Sequence, residues 1–258
     1  MDGARVERYL ARIGVPAHGG EPGLARLADL QERHLHAVPF ENLSVHLDEP
    51  IDLVPEALVD KIVERNRGGF CYELNGAFGA LLTALGYEVT LLCARAATPD
   101  GFGPPFDHLA LRVDVDGEPW LVDVGFGRFS HRPIRLAERG EQKDPAGTFL
   151  VTEDAEGDLT VLRNGGREYR LETRPRTLAD FEPTCWWHRT SPKSHFTRSL
   201  VCSRLTDSGR VTLSGNVLIV TDDAGKRETP LSTEAEVLDA YSRHFGISLD
   251  SVPTVRES

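Results

Sequence analysis

The sequence predicts an α+β fold built from three successive regions. Three observations carry that prediction: helical apolar spacing confined to the first third, short β-rich runs through the middle, and a closing mixture of strands with one capped helix. From Val6 to about Leu85, Leu24, Leu27, Leu30 and Leu35 form one helical stripe. Leu58, Val59, Ile62 and Val63 form another after Pro55, which suits a helix's first turn. This region reads as all-helical. From Tyr87 to about Thr173 the runs "YEVTLLCARA", "DHLALRVDV", "PWLVDVG", "GTFLVTED", "DLTVLRN" and "REYRLET" alternate with Gly, Asp, Asn and Pro, which suggests a small antiparallel barrel or sandwich. After "FEPTCWWHRTSPKSHF" come three more strand candidates, "SLVCSRL", "GRVTLSG" and "NVLIVTD". A helix from Thr233 follows, with Thr233 and Glu236 spaced as a capping box and Gly246 as its stop. The expected boundaries are 1–85, 86–180 and 181–258.

Composition narrows the function classes. The chain has 258 residues, 40% hydrophobic and 27% charged, with a formal net charge of −11. No basic stripe offsets that charge, which argues against nucleic acid or an anionic membrane as partner. No segment approaches ~18 consecutive apolar residues and the N-terminus has no cleavage pattern, so a cytoplasmic location is expected. Cys71, Cys93, Cys185 and Cys202 stand far apart and form no C-x-x-C pair, so neither a structural zinc site nor a redox dithiol is expected.

Cys71 lies in "RGGFCYELNG", where a glycine pair gives way to "CYELNGAFGALLTALG". The second segment carries Leu74, Phe78, Leu81, Leu82 and Leu85 at helical spacing, which puts the thiol in a helix's first turn. A helix N-terminus favours a thiolate by roughly 0.3–1 kcal/mol, too little to ionise a thiol with a pKa of ~8.5 at neutral pH. A reactive thiol there needs an imidazolium partner.

One of the nine histidines is placed by local geometry. "FDHLALRVDVDGEPWLVDVGFG" reads as a hairpin turning at Asp116-Gly117, the favoured pair for a type I′ turn. Val115 then faces Glu118, Val113 faces Trp120, Leu111 faces Val122 and Leu109 faces Val124. On the other face His108 and Asp123 become diagonal neighbours about 7–8 Å apart, within reach of an Asp–imidazole hydrogen bond. A one-residue slip would separate them and spoil the apolar match. Asp107 is expected to point the other way. Asp123 would fix the imidazole tautomer and His108 would take the Cys71 proton.

These residues fall inside a wider pattern. Along nearly its whole length the chain resembles the arylamine N-acetyltransferases, through "HAVPFENLS" (His36 to Ser44), "RGGFCYELNG", "FDHLAL", "LVDVGFG", "SPKSHFT" (Ser191 to Thr197) and "TLSG" (Thr212 to Gly215). The resemblance implies an N-terminal helical bundle, a central antiparallel β-barrel and a C-terminal α/β lid around a cysteine-protease-like Cys–His–Asp core. It maps the triad onto Cys71, His108 and Asp123. It implies that acetyl-CoA, a co-substrate and not a tightly bound cofactor, acylates the cysteine, and that an arylamine, arylhydrazine or N-hydroxyarylamine then takes the acetyl group. Phe40, Phe126 and Phe196 match positions that wall the acceptor pocket, and Thr212, Ser214 and Gly215 match a segment that approaches CoA. No metal is implied, and the chain is expected as a monomer or homodimer.

Two departures keep a sister group in view. Asp107 precedes His108 where many members have threonine or another small polar residue, and the tail after the Thr233 helix is short. Both features resemble the amide synthases of ansamycin assembly, which use the same triad to release a polyketide as a macrolactam. A cysteine hydrolase or transglutaminase-like enzyme, and a non-catalytic binding module, are the readings from other classes.

Overall fold

The computed structural model describes residues 1–16 and 20–255; residues 256–258, at the end of the expected third region, lie outside them. Helices α1 (Gly3–Arg12), α2 (Leu24–Ala37), α3 (Leu43–His46), α4 (Pro55–Val63) and α5 (Cys71–Ala84) form the first part. Helix α5 is the central one. Its Leu74, Phe78, Leu81 and Leu82 are fully buried among Leu27, Leu30, Leu58 and Ile62, each side chain contributing about 1.5–3 kcal/mol of hydrophobic stabilisation. The region is not all-helical as its spacing suggested. Phe40–Glu41 forms strand β1, which pairs with a strand far along the chain.

Strands β2 (Glu88–Thr98), β3 (Gly101–Phe102), β4 (His108–Val115), β5 (Glu118–Val122), β6 (Ile134–Arg135), β7 (Gln142–Asp144), β8 (Gly147–Glu153), β9 (Leu159–Arg163) and β10 (Gly166–Arg176) make one antiparallel sheet. Its order is β6-β5-β4-β2-β10-β9-β8-β7, with β3 on β2. The sheet curls into a nearly closed barrel. The Gln142 side chain joins its two ends, accepting from Arg135 N at 2.8 Å and donating to Arg135 O at 2.9 Å. Phe129, Phe149, Val151, Val161, Tyr169 and Leu171 fill the interior. The alternating residues Leu109, Leu111, Val113 and Val122 face outward against α5, so one strand face serves each core.

The hairpin register is the expected one: Val115 pairs with Glu118, Val113 with Trp120, and Leu111 with Val122. Asp116 and Gly117 take φ of 53° and 79°, as a type I′ turn requires.

Helices α6 (Glu182–Thr190) and α7 (His195–Arg198) lead to strands β11 (Val201–Thr206), β12 (Gly209–Ser214), β13 (Val217–Asp222) and β14 (Gly225–Pro230), then to α8 (Glu234–Ala240). The second sheet runs β1-β11-β12-β13-β14, and four of its strands follow α7, one more than the three foreseen there. Strand β14 is exposed along its length and has no apolar alternation to announce it. Thr233 and Glu236 form the expected capping box, and Gly246 ends the following turn at φ 69°. Cys202, Val211 and Leu213 face α8. Their neighbours Val201, Ser203, Thr212 and Ser214 therefore face the barrel, across the cleft that holds the site. Among the described residues no helix is long and apolar enough to cross a membrane.

Candidate active site

Two glycines let the chain reach α5. A Cβ on Gly68 would lie 1.8 Å from Pro39 O, and one on Gly69 would lie 2.6 Å from the Glu73 side chain. Phe40 bridges to Gly69, and Glu41 N donates to Gly69 O at 2.9 Å, so β1 is fixed beside the start of the helix. Glu73 reaches back to accept from Phe70 N at 3.2 Å and pairs with Lys61 at 2.5 Å. Glu41 accepts from Arg67 at 3.0 Å and from Leu43 N at 2.6 Å. All four of these charged side chains are buried. Burial works against ionised Glu41, yet Lys61 and Arg67 hold its pKa below the usual carboxylate range; burial pushes that of Glu73 up.

Cys71 opens α5 and lines a cavity of about 470 Å³ with Phe40, Asp107, His108, Phe126 and Phe196. The helix N-terminus and the hairpin thus deliver thiol and imidazole to one space, as the sequence suggested. Asp123 is fully buried behind His108 and accepts from its Nε2 at 2.7 Å. That contact puts the proton of the neutral ring on Nε2 and leaves Nδ1 unprotonated.

Asn75, one turn beyond Cys71, holds the aspartate. Its Nδ2 donates to Asp123 Oδ1 at 2.8 Å and to Leu109 O at 2.7 Å, while its Oδ1 accepts from Val124 N at 2.9 Å. Gly125 N also donates to Asp123 Oδ1, at 2.9 Å. The Tyr169 hydroxyl is buried beside Asp123, and burial followed by the Asp123 charge raises its pKa. Asn75 was missed in the sequence, although its i, i+4 spacing from Cys71 on an expected helix was a usable signal.

Burial strongly opposes ionisation of Cys71. It pushes the thiol pKa well up, and the charges of Asp107 and Asp123 add to the rise, with some relief from the Leu109 backbone N–H. This exceeds the helix-terminus stabilisation expected from sequence. A thiolate here is therefore stable only beside a cation. The other three cysteines are also free and buried, and Cys185 borders a groove whose lining includes no histidine.

The aromatic residues divide by contact. Phe126 sets its edge on the His108 ring at 5.0 Å, while Phe196 packs on Phe70 at 5.3 Å and on Phe40 at 6.3 Å. Of the three residues matched to a CoA-approaching segment, only Ser214 lines the cavity. Thr212 is turned to the Ser203 hydroxyl at 2.7 Å, and Gly215 forms the following turn at φ 58°.

Asp107 corrects an expectation. It is not turned away from the site: Asp107 is among the residues lining the cavity, and its carboxylate accepts from Ala96 N at 3.1 Å and lies 3.2 Å from His188 Nε2 without hydrogen-bond alignment. The positive φ of Phe106, 61°, breaks the strand alternation just before it, which period-2 reading could not foresee. Among the described residues no group of three or more His, Cys, Asp or Glu side chains could hold a metal ion.

A family model described as N-acetyltransferase matches residues 23–254. The arylamine N-acetyltransferase of Mycolicibacterium smegmatis is 36% identical over 251 residues, spanning 93% of this chain and 91% of that protein. The solved structure of M. smegmatis arylamine N-acetyl transferase superimposes with a TM-score of 0.88 at 36% identity, covering 96% of this chain and 93% of that one. The structure of Mycobacterium marinum arylamine N-acetyltransferase in complex with CoA gives a TM-score of 0.84 at 34% identity, covering 94% of this chain and 92% of that one.

Proposed function

The chain belongs to the arylamine N-acetyltransferase family and is an acetyltransferase, and from that premise we propose that it carries an acetyl group from acetyl-CoA to an aromatic amine or hydrazine through a thioester on Cys71. The observation that carries this reading is the His108–Asp123 contact of 2.7 Å beside the Cys71 cavity.

In the first stage His108 Nδ1 takes the Cys71 proton, and the thiolate attacks the thioester carbonyl. The carbon–sulfur bond to CoA breaks, and the departing thiolate takes the proton back from the imidazolium. One thioester replaces another, so the exchange is nearly isoenergetic. In the second stage a neutral aromatic amine attacks the acetyl-enzyme. His108 accepts the amine proton, and Cys71 leaves as the thiolate and is reprotonated. Asp123 stabilises the imidazolium in both stages and holds the tautomer between them. The Cys71 backbone N–H, free of an intrahelical partner at the first helical position, is the donor proposed for the tetrahedral oxyanion. Phe40, Phe126 and Phe196 supply ring faces and edges for a compact aryl acceptor. The CoA complex of the M. marinum relative supports the choice of donor.

The intact mass of the protein tests this reading. Incubation with acetyl-CoA should add one acetyl group at Cys71, and an arylamine or arylhydrazine should discharge it as the N-acetyl product. An unmodified protein that instead cyclises a long aminoaryl thioester would replace this reading with the amide synthase. Free acetate as the main product in the presence of amine would make the protein a hydrolase.

A further inference from the structure

A cavity of about 570 Å³ lies where the ends of α1, α2 and β11 meet, and its lining includes Ala11, Arg12, Gly14, Arg33, Arg204 and Asp207. It shares no lining residue with the Cys71 cavity. Two consecutive carbonyls at the C-terminus of α2 gather two arginines here: Arg12 Nη1 donates to Ala37 O at 2.8 Å, and Arg204 Nη1 donates to His36 O at 2.9 Å. Carbonyls in a helix's last turn lack intrahelical partners, so capping accounts for one nitrogen of each guanidinium. It does not account for the rest. Arg12 Nε and Nη2 and Arg204 Nε are buried with no hydrogen-bond partner in the protein, although a guanidinium carries five N–H donors.

Burial lowers the pKa of both arginines, and the Arg204 charge lowers that of Arg12 further. Two partly desolvated cations are thus held side by side. The carboxylates nearby do not neutralise them. Arg33 on the rim is taken by Asp29 at 2.7 Å. Asp207, the one carboxylate in the lining, has a fully exposed side chain that stands 3.6 Å from His36 Nδ1. Among the described residues neither Arg12 nor Arg204 has an ion-pair partner. This local excess of positive charge occurs in a chain whose net charge is −11, so it is no by-product of a basic surface.

We propose that this cavity is a second ligand site, in which Arg12 and Arg204 bind a phosphate group, free or carried on a small metabolite. A phosphate dianion supplies two things at once: counter-charge for both cations, and acceptor oxygens for the donors that capping leaves over. The cavity's volume falls in the range of small-molecule sites, about 300–1,000 Å³, which leaves room for an organic body beside the phosphate. Occupancy would tie together α1, α2 and β11, three segments far apart in the chain.

The test is an NMR titration of the full chain in which inorganic phosphate replaces chloride at equal ionic strength. The amide signals of Gly14 and Ala37 should move saturably in the wild type. Arg12→Gln and Arg204→Gln should each weaken that binding about tenfold or more, as expected for the loss of a charge-assisted hydrogen bond. Both also remove a cap from α2, so a variant that keeps the two arginines is needed beside them. Ala11 is an exposed helical position in the lining, and Ala11→Glu should offer the arginines a carboxylate, abolish the phosphate-dependent shifts and leave the fold intact. A parallel titration with glycerol 3-phosphate separates the two sources: tighter binding of the ester assigns the site to a phosphorylated metabolite, equal binding to the free anion, and either supports the site. Gly14 and Ala37 signals that stay fixed in the wild type, or that move equally in Ala11→Glu, overturn it.

Discussion

Gly125 lies against Cys71 so closely that a Cβ on it would stand 2.8 Å from the Cys71 Cα and 2.8 Å from Asn75 Nδ2. The loop that carries Asp123 is thus pressed onto the first turn of α5, and a hydrogen atom is the only side chain that fits. Gly125 is outside the positive-φ set, so the constraint is space and not backbone conformation.

Gly125→Ala should therefore push α5 and the Asp123 loop apart while leaving the hairpin intact. A displacement of the order of 1 Å should lower kcat/KM about 100-fold, with a stability loss of about 1–3 kcal/mol from overpacking. Thermal melting and acetyl-transfer rates check this together. Full activity in the variant would mean that the close approach does not set the thiol–imidazole geometry.

The raised pKa of the Cys71 thiol gives a pH test of the ion pair. In the wild type, proton transfer to His108 should keep iodoacetamide alkylation of Cys71 fast below pH 7. In His108→Ala the lone thiol keeps its upward shift, so alkylation should be slow at pH 7 and rise only above pH ~8.5. Asp123→Asn should retain the fold and lose most activity through the wrong tautomer, and Cys71→Ala should lose acetyl transfer altogether. Equal alkylation profiles in wild type and His108→Ala would rule out activation by the imidazole.

Phe40 separates acceptor binding from enzyme acylation more cleanly than Phe126, whose edge rests on His108. Phe40→Ala should raise the KM for an arylamine about tenfold and change the single-turnover acetylation rate less than twofold, since one buried ring is worth about 1.5–3 kcal/mol of contact. Stopped-flow acetylation and steady-state kinetics read the two steps separately. An equal loss in both would assign Phe40 to the scaffold.

Glu41 is buried between Arg67 and Lys61, and its folded pKa lies below the usual value. The sign follows: its contribution is complete above the unfolded value of ~4.3 and is lost as pH falls through the depressed folded value. Glu41→Gln leaves buried cations short of a counter-charge and should cost about 3 kcal/mol at pH 7. Its stability should also fall less steeply than the wild type's between about pH 5 and 2. Parallel acid limbs in urea titrations would contradict this.

The sequence by itself determined the pieces whose information is local. The Asp116-Gly117 turn and the alternation around it put His108 and Asp123 on one face, because a two-residue turn fixes register and register fixes which side chains are neighbours. The apolar spacing after Phe70 likewise started α5 at Cys71. Tertiary structure decided what depends on chain segments far apart. Phe40–Glu41 is a strand only because β11 pairs with it, and two residues have no period to read. Asp107 reaches the cavity through a positive φ at Phe106 that alternation does not encode. The elevated thiol pKa arises from burial and from Asp107 and Asp123, which segments far along the chain bring to Cys71. Burial and Coulomb interactions depend on distance in space, and a sequence gives that distance only where neighbours along the chain are also neighbours in the fold.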